Sequence, residues 1–212
     1  MNPMTIFTAL VALATGWALW TFAEYMLHRF AMHELDGKGI MSREHLEHHV
    51  HSGWSFDVTH LLSWTGMLLV GAVVWAPLGW LLAGPTFGVT MAVGWAVGYF
   101  FYEYQHMSAH LRAPRNRYER FVRRHHFNHH FGHPKANHGV STPLWDHVFR
   151  TFERPERVRV PRRLALPWLV DETGAIHPEF NGDYVLVGAD RADERTAALD
   201  RARAFASLAP ED

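Results

Sequence analysis

The chain has no cysteine among its 212 residues, which excludes a disulfide scaffold, an iron–sulfur cluster and any thiolate metal site. Charge of one sign is also missing. Lysine and arginine number 20 against 21 aspartates and glutamates, a formal net charge of −1, so nothing draws the whole chain to nucleic acid. No zinc-finger, helix-turn-helix or RNA-recognition pattern surrounds the basic residues, and no nucleic-acid partner is expected. The HEXXH arrangement of a zinc hydrolase is absent as well. Neither Leu61 to Ala83 nor Thr86 to Phe101 contains a histidine or an acid. That weighs against a membrane metal transporter or storage protein, because transporters place polar ligands inside their spans.

Long apolar runs are present in the first half. At 48% hydrophobic and 14% aromatic the chain can build a sizeable core or span a bilayer. Met4 to Phe22 is uncharged, and at ~1.5 Å per residue it reaches across a hydrocarbon core of about 30 Å. The start Met1-Asn2-Pro3 lacks the basic region of a cleaved signal peptide, so a span is expected. Leu61 to Ala83 and Thr86 to Tyr102 are two further runs, and Gly84-Pro85 between them predicts a tight connection of antiparallel helices. Pro77 should kink or break the first of these, and the alternative is a span ending near Trp75 followed by an interfacial segment. Burial of all three runs in a soluble bundle is the competing reading.

Three spans bring the connection from Arg29 to His60 and the segment beyond Tyr104 out on one side of the membrane. Arg29, Lys38, Arg43 and the Arg112 to Arg124 series lie on that side, whereas the Gly84-Pro85 turn carries no basic residue. By the positive-inside rule that face is cytoplasmic. The expected fold is therefore an all-α integral, multi-pass membrane protein of three, or at most four, transmembrane helices. A cytoplasmic helical cap would hold a histidine-rich dimetal site, and a small mixed C-terminal tail would follow.

Within the polar connections, Gly37-Lys38-Gly39 reads as a flexible break, and Ser42 is placed to cap the helix after it. Gly132 to Pro143 is rich in turn residues and should be a loop, followed by a short helix or interfacial segment over Leu144 to Phe149. The tail is charged and proline-interrupted from Glu153 to Arg163. A hairpin is expected around Asp171 to Gly174, Asn181 to Asp183 and the strand-like run Tyr184 to Val187, then a solvated helix over Ala189 to Leu208.

Seventeen histidines are the most unusual feature. His45, His48 and His49 stand at i, i+3 and i+4, and so do His126, His129 and His130, a spacing that puts side chains on one helical face. His106 and His110 are an i, i+4 pair just past the third apolar run. His28 and His33 are five apart, which does not stack on a straight α-helix, so both can serve one site only if the helix ends or bends. Any one group could be a surface or core accident, or a cluster meeting anionic headgroups. Four groups at helical spacing, all just outside apolar runs and on one expected side, point to metal held by imidazole nitrogen.

With these four groups in hand, the chain resembles the fatty acid hydroxylase superfamily of membrane non-haem di-iron oxygenases, and within it the fatty acid 2-hydroxylase-like, sterol desaturase-related branch. The resemblance rests on HX4H (His28, His33), HX2HH (His45, His48, His49), HX3H (His106, His110) and HX2HH (His126, His129, His130). Glu24-Tyr25 before them, and Gly139 to Thr142 with Leu144 to Phe149 after them, support it. It implies that residues 1–152 form the membrane-embedded catalytic domain and 153–212 a charged soluble tail of unknown role. It further implies two iron ions, replaceable by zinc in purified protein, which use O2 to hydroxylate an unactivated C–H bond of a fatty acyl or related lipid. Carotenoid ring hydroxylation and lipid desaturation are the alternatives. His28, His33, His45, His49 and His129 would hold one metal, and His48, His106, His110, His126 and His130 the other. Glu24, Glu47, Glu103, His125, Asn128, His133, Asn137, His138 and Asp146 are candidates to orient imidazole N–H groups. His51, His60, His147 and His177 are read as structural or solvated. No cytochrome b5-type domain is recognised in these residues, so electrons are expected from a separate protein of cytochrome b5 or ferredoxin type.

Overall fold

The computed structural model describes residues 2–56 and 58–211, and it is mostly helical. Helix α1 (Pro3–Met26) runs directly into a π-helix, Leu27–His33; α2 (Ile40–His51) and α3 (Val58–Val70) follow. A second π-helical stretch, Gly71–Trp75, leads into α4 (Ala76–Leu111), and then come α5 (Arg117–Phe131) and the short α6 (Leu144–Val148). The tail contains β1 (Val158–Pro161), β2 (Tyr184–Val187) and α7 (Glu194–Phe205). Two compact units result, one of Met1–Glu24 and Ser55–Tyr104, the other of Tyr25–Trp54 and Gln105–Asp212. The tail belongs to the second unit, together with the histidine-bearing segments.

In the first unit α4 is two helices joined by a reversal, with Ala83 at φ −148° and Gly84 at φ +85°. Only glycine takes the second conformation without steric cost. The arms pack closely: a Cβ at Gly88 would fall 2.3 Å from the Ala76 carbonyl oxygen, and Trp95 Nε1 donates to the Met67 carbonyl at 2.9 Å. α1 joins them in the same manner, since a Cβ at Gly94 would fall 2.2 Å from the Leu13 carbonyl oxygen. Trp20 completes the contact, edge-on to Tyr99 at 4.8 Å and to Trp95 at 5.2 Å. Pro77 does not end its helix. The preceding turn winds as a π-helix, and the chain continues to Ala83.

Among the described residues two helical stretches, Pro3–His33 and Val58–Leu111, the second broken by the Ala83–Gly84 reversal, are long and apolar enough to cross a membrane. Only 22% and 11% of their most apolar windows are buried, and Leu10, Leu62, Leu69, Val73, Leu81 and Leu82 are exposed. The core helices of a soluble bundle would hide such surface.

The second unit has its own apolar core. Phe127 and Phe131, one turn apart on α5, pack with Val158, Val160, Leu166, Trp168, Phe180 and Tyr184 from the tail. Trp168 Nε1 also donates to the Ala109 carbonyl at 2.8 Å, tying the tail to the end of α4. β2 forms as expected but pairs in parallel with β1, not in a hairpin; the Asp171 to Gly174 turn makes only the isolated bridge Val170–Ile176. The expected solvated helix is shorter, and it is anchored: the Arg163 guanidinium forks onto Asp200 at 2.8 Å twice, and Arg201 pairs with Glu47 of α2. Ser42 does not cap α2. Gly39 stands at that position, while Ser42 Oγ donates to the Met32 carbonyl at 2.7 Å and accepts from Gly37 N–H at 2.9 Å. Gly37-Lys38-Gly39 is thus a held turn.

Candidate metal centre

Two groups of five imidazoles converge in the second unit. His28, His33, His45, His49 and His129 form one, and His48, His106, His110, His126 and His130 the other; within each, one nitrogen per ring lies within 4.8 Å of all the rest. α2 and α5 each feed both groups, because the i, i+3 and i+4 positions fan across a helical face. The rings of His49 and His130 stack across the divide, 4.1 Å apart and 7° from parallel. His28 and His33 reach one group because Leu27–His33 is π-helical. A π-helix closes its bonds from i to i+5, so residues five apart come into line.

For four of the rings the direction of the nitrogens follows from backbone acceptors. His28 Nδ1 donates to the His138 carbonyl at 2.5 Å and His129 Nδ1 to the Ala136 carbonyl at 2.7 Å. In the other group His48 Nδ1 donates to the Gly53 carbonyl at 2.8 Å and His110 Nδ1 to the Ser52 carbonyl at 2.9 Å. A carbonyl only accepts, so each of these Nδ1 atoms carries the hydrogen and each neutral ring turns its Nε2 lone pair inward. Burial keeps the most enclosed rings neutral: it pushes His28 down to about 4 and His45, His49, His110, His126, His129 and His130 well below the usual 6.5, and neighbouring imidazoles add to the effect.

Lone pairs turned toward one another repel unless a cation takes them up. His33 Nε2 stands 3.0 Å from His129 Nε2 and 2.9 Å from His45 Nε2, and His110 Nε2 stands 3.0 Å from His126 Nε2. Both ring nitrogens of His130 are buried with no hydrogen-bond partner. Nitrogens at right angles around a cation, with bonds of about 2.1 Å, stand about 3.0 Å apart. The spacing, the orphaned His130 nitrogens and the all-nitrogen donor set therefore fit a transition metal in each group.

The sequence comparisons agree with that geometry. The family model for fatty acid hydroxylase matches residues 13–151, a stretch containing all ten histidines. This chain belongs to the fatty acid hydroxylase family. The human fatty acid 2-hydroxylase is 31% identical over 73% of this chain, and a dihydroceramide fatty acyl 2-hydroxylase of Arabidopsis thaliana is 31% identical over 65%. The matched segments are 42% and 59% of those proteins, so the chain spans about two fifths of the human relative's length. A solved structure described as full-length scs7p, with only its hydroxylase domain visible, shares the fold at a TM-score of 0.54 and 24% identity. That likeness covers 74% of this chain and 59% of the other.

Around the family's histidine groups, the remaining candidates separate by position. Asp146 is fully buried and accepts the backbone N–H of His138 and of Gly139 at 2.8 Å, the Thr151 hydroxyl at 2.8 Å and His125 Nε2 at 3.0 Å. Burial alone would raise its pKa, but the bonds from His125, Thr151 and Gly139 hold it below the usual carboxylate value. Asp146 thereby fixes the loop whose His138 carbonyl orients His28. Asn137, at φ +58°, locks the same loop by donating to the carbonyls of His125 and Glu153 and accepting from Glu153 N–H. The His138 ring is buried 5.4 Å from those of His28 and His129, and burial pushes its pKa down to about 3.

Other candidates are engaged elsewhere. Glu47 is paired with Arg201, exposed His133 with Glu153 at 2.7 Å, and Asn128 supplies the carbonyl that ends α5. Glu24 and Glu103 belong to the first unit, where Glu103 accepts from Trp64 Nε1 at 3.4 Å.

Sequence reasoning missed the acceptors themselves. They are the carbonyls of Ser52, Gly53, Ala136 and His138, together with the Ser207 hydroxyl, and backbone groups leave no trace in residue type. Positive φ at non-glycine residues marks them in retrospect: Ser52 at +48°, Asn137 at +58° and Ser207 at +51° each sit at or beside an acceptor.

Proposed function

We propose that this chain is a membrane hydroxylase using dioxygen and two iron ions to place a hydroxyl on an unactivated carbon of an acyl lipid. The observation that carries the proposal is the pair of five-imidazole groups whose Nε2 lone pairs face inward at spacings near 3.0 Å. One iron would be held by His28, His33, His45, His49 and His129, and the other by His48, His106, His110, His126 and His130. When bound, the irons supply the electrons and Lewis acidity that activate dioxygen for insertion into a C–H bond. Overall, one oxygen atom enters the lipid and the other leaves as water, with two electrons and two protons consumed. The electrons come from a separate protein of cytochrome b5 or ferredoxin type.

The chain's own residues orient and exclude. Backbone carbonyls hold the Nδ1 hydrogens of His28, His48, His110 and His129, so those four rings present Nε2. Burial of His28, His110, His126, His129 and His130 keeps bulk water away from a reactive site. Each group of five imidazoles would hold one iron by nitrogen alone, and the iron would supply the affinity for dioxygen. The exposed leucines and valines of α1, α3 and α4 support insertion in a bilayer as three spans, with the arginine-rich connections and the metal site at the cytoplasmic face. The relatives' names mention fatty acyl and dihydroceramide substrates and position 2, so an acyl lipid hydroxylated beside its carbonyl is the product to assay first.

Mass spectrometry of lipids from a host with and without this chain tests the reading. Acyl lipids heavier by one oxygen are expected. A gain confined to carotenoids, or a loss of two hydrogens without oxygen, would replace the substrate or the outcome.

A further inference from the structure

We propose that Ser207, in the tail beyond the family match, is a positioning residue of the metal centre that fixes the tautomer of His33. The inference rests on the metal reading of the five-imidazole group. His33 Nδ1 lies 3.0 Å from Ser207 Oγ, and the same hydroxyl reaches the His33 carbonyl at 3.2 Å. A serine hydroxyl has one hydrogen. Because the carbonyl can only accept, that hydrogen goes to it, and the oxygen then accepts from the ring. His33 therefore carries its proton on Nδ1 and turns its Nε2 lone pair toward His45 and His129. Both groups of this contact are buried.

The backbone of Ser207 strengthens the case. The residue ends α7 in the left-handed region, φ +51°, with its N–H on the Ala204 carbonyl and Leu208 N–H on the Arg203 carbonyl, both at 2.9 Å. Glycine adopts that conformation without strain and is the usual residue there. Glycine has no hydroxyl. The tail also reaches this spot by contacts independent of Ser207: Arg201 on Glu47, and the Phe205 ring over Gly37, where a Cβ would come within 2.6 Å of it. Beside the contact lies a cavity of about 400 Å³, lined in part by Arg29, His33, Lys135, His138 and Ser207, with room for a larger side chain at position 207.

Ser207→Gly removes the hydroxyl while suiting the backbone. Ser207→Asn tolerates positive φ and returns an acceptor oxygen. The test uses full-length protein in detergent, titrated anaerobically with ferrous ion against a chelator and followed by Mössbauer spectroscopy. Wild type should bind two ions. In Ser207→Gly one ion should bind about 10–100-fold more weakly with an altered signal while the other is unchanged, and Ser207→Asn should recover most of the loss. Wild-type affinity and spectrum in Ser207→Gly would overturn the assignment, as would Ser207→Asn binding no better than Ser207→Gly. A wild-type protein that binds no ferrous ion would instead overturn the metal reading and this assignment with it.

Discussion

At the scale of single residues, the candidate centre depends on groups outside its ten imidazoles. A lone neutral hydrogen bond contributes about 1 kcal/mol to stability, yet the bonds that orient metal-binding imidazoles change metal affinity or activity about 10–100-fold. Asp146→Asn is the informative case. The amide keeps one acceptor oxygen and loses the other, so the loop presenting the His138 carbonyl to His28 loosens. Product formation should fall at least about 10-fold while the protein still inserts, which immunoblotting of membranes and lipid analysis will measure together. Protonation acts on the same residues. His45, His49, His126, His129 and His130 are held neutral by burial, whereas in the unfolded chain they take up protons below the usual 6.5. Because the unfolded state binds more protons there, metal-free protein should lose stability as pH falls through 6.5, by up to about 1.4 kcal/mol per group for each pH unit, and change little above it. Thermal unfolding of stripped protein at pH 7.5 and pH 5.5 should give the lower midpoint at pH 5.5.

At the scale of elements, periodicity made much of the structure readable and irregular winding hid the rest. The two triplets lie on α2 and α5 as their i, i+3, i+4 spacing requires, and the Gly84-Pro85 reversal falls where the turn residues place it. His28 and His33 could be read only as needing a bend. A π-helix has no side-chain signature, so its i to i+5 closure emerges from the fold alone. The parallel pairing of β1 with β2 was equally hidden, because the choice is set by Trp168, Phe180 and Tyr184 packing on α5, not by local turn chemistry. Glycine contacts between apolar helices are testable at this scale. Gly88→Val would drive a side chain into the backbone of Ala76 and Trp80, forcing the α4 arms apart. Overpacking of this kind costs at least about 1–3 kcal/mol, so the thermal midpoint and the amount of inserted protein should both fall.

At the scale of the whole molecule, the tail is the part that composition misrepresented. Its charged residues suggest a solvated appendage, but Arg201 and Phe205 anchor it to Glu47 and Gly37, and Val158, Val160 and Tyr184 supply a core for α5. Membrane orientation is open to direct mapping because the chain contains no cysteine. An impermeant thiol reagent applied to inverted vesicles should label Lys38→Cys, while Thr86→Cys should react only from the opposite face. Labelling of both from one side would contradict three spans.

The measurement that bears most directly on the central claim is transfer of isotopically labelled dioxygen into lipid by membranes containing the ferrous-loaded protein and a reductant. The account predicts one labelled oxygen per hydroxylated acyl chain from wild type, and none from His110→Ala or His129→Ala, which remove one imidazole from each group. Label derived from water, or full incorporation by both variants, would contradict a centre built from those ten histidines.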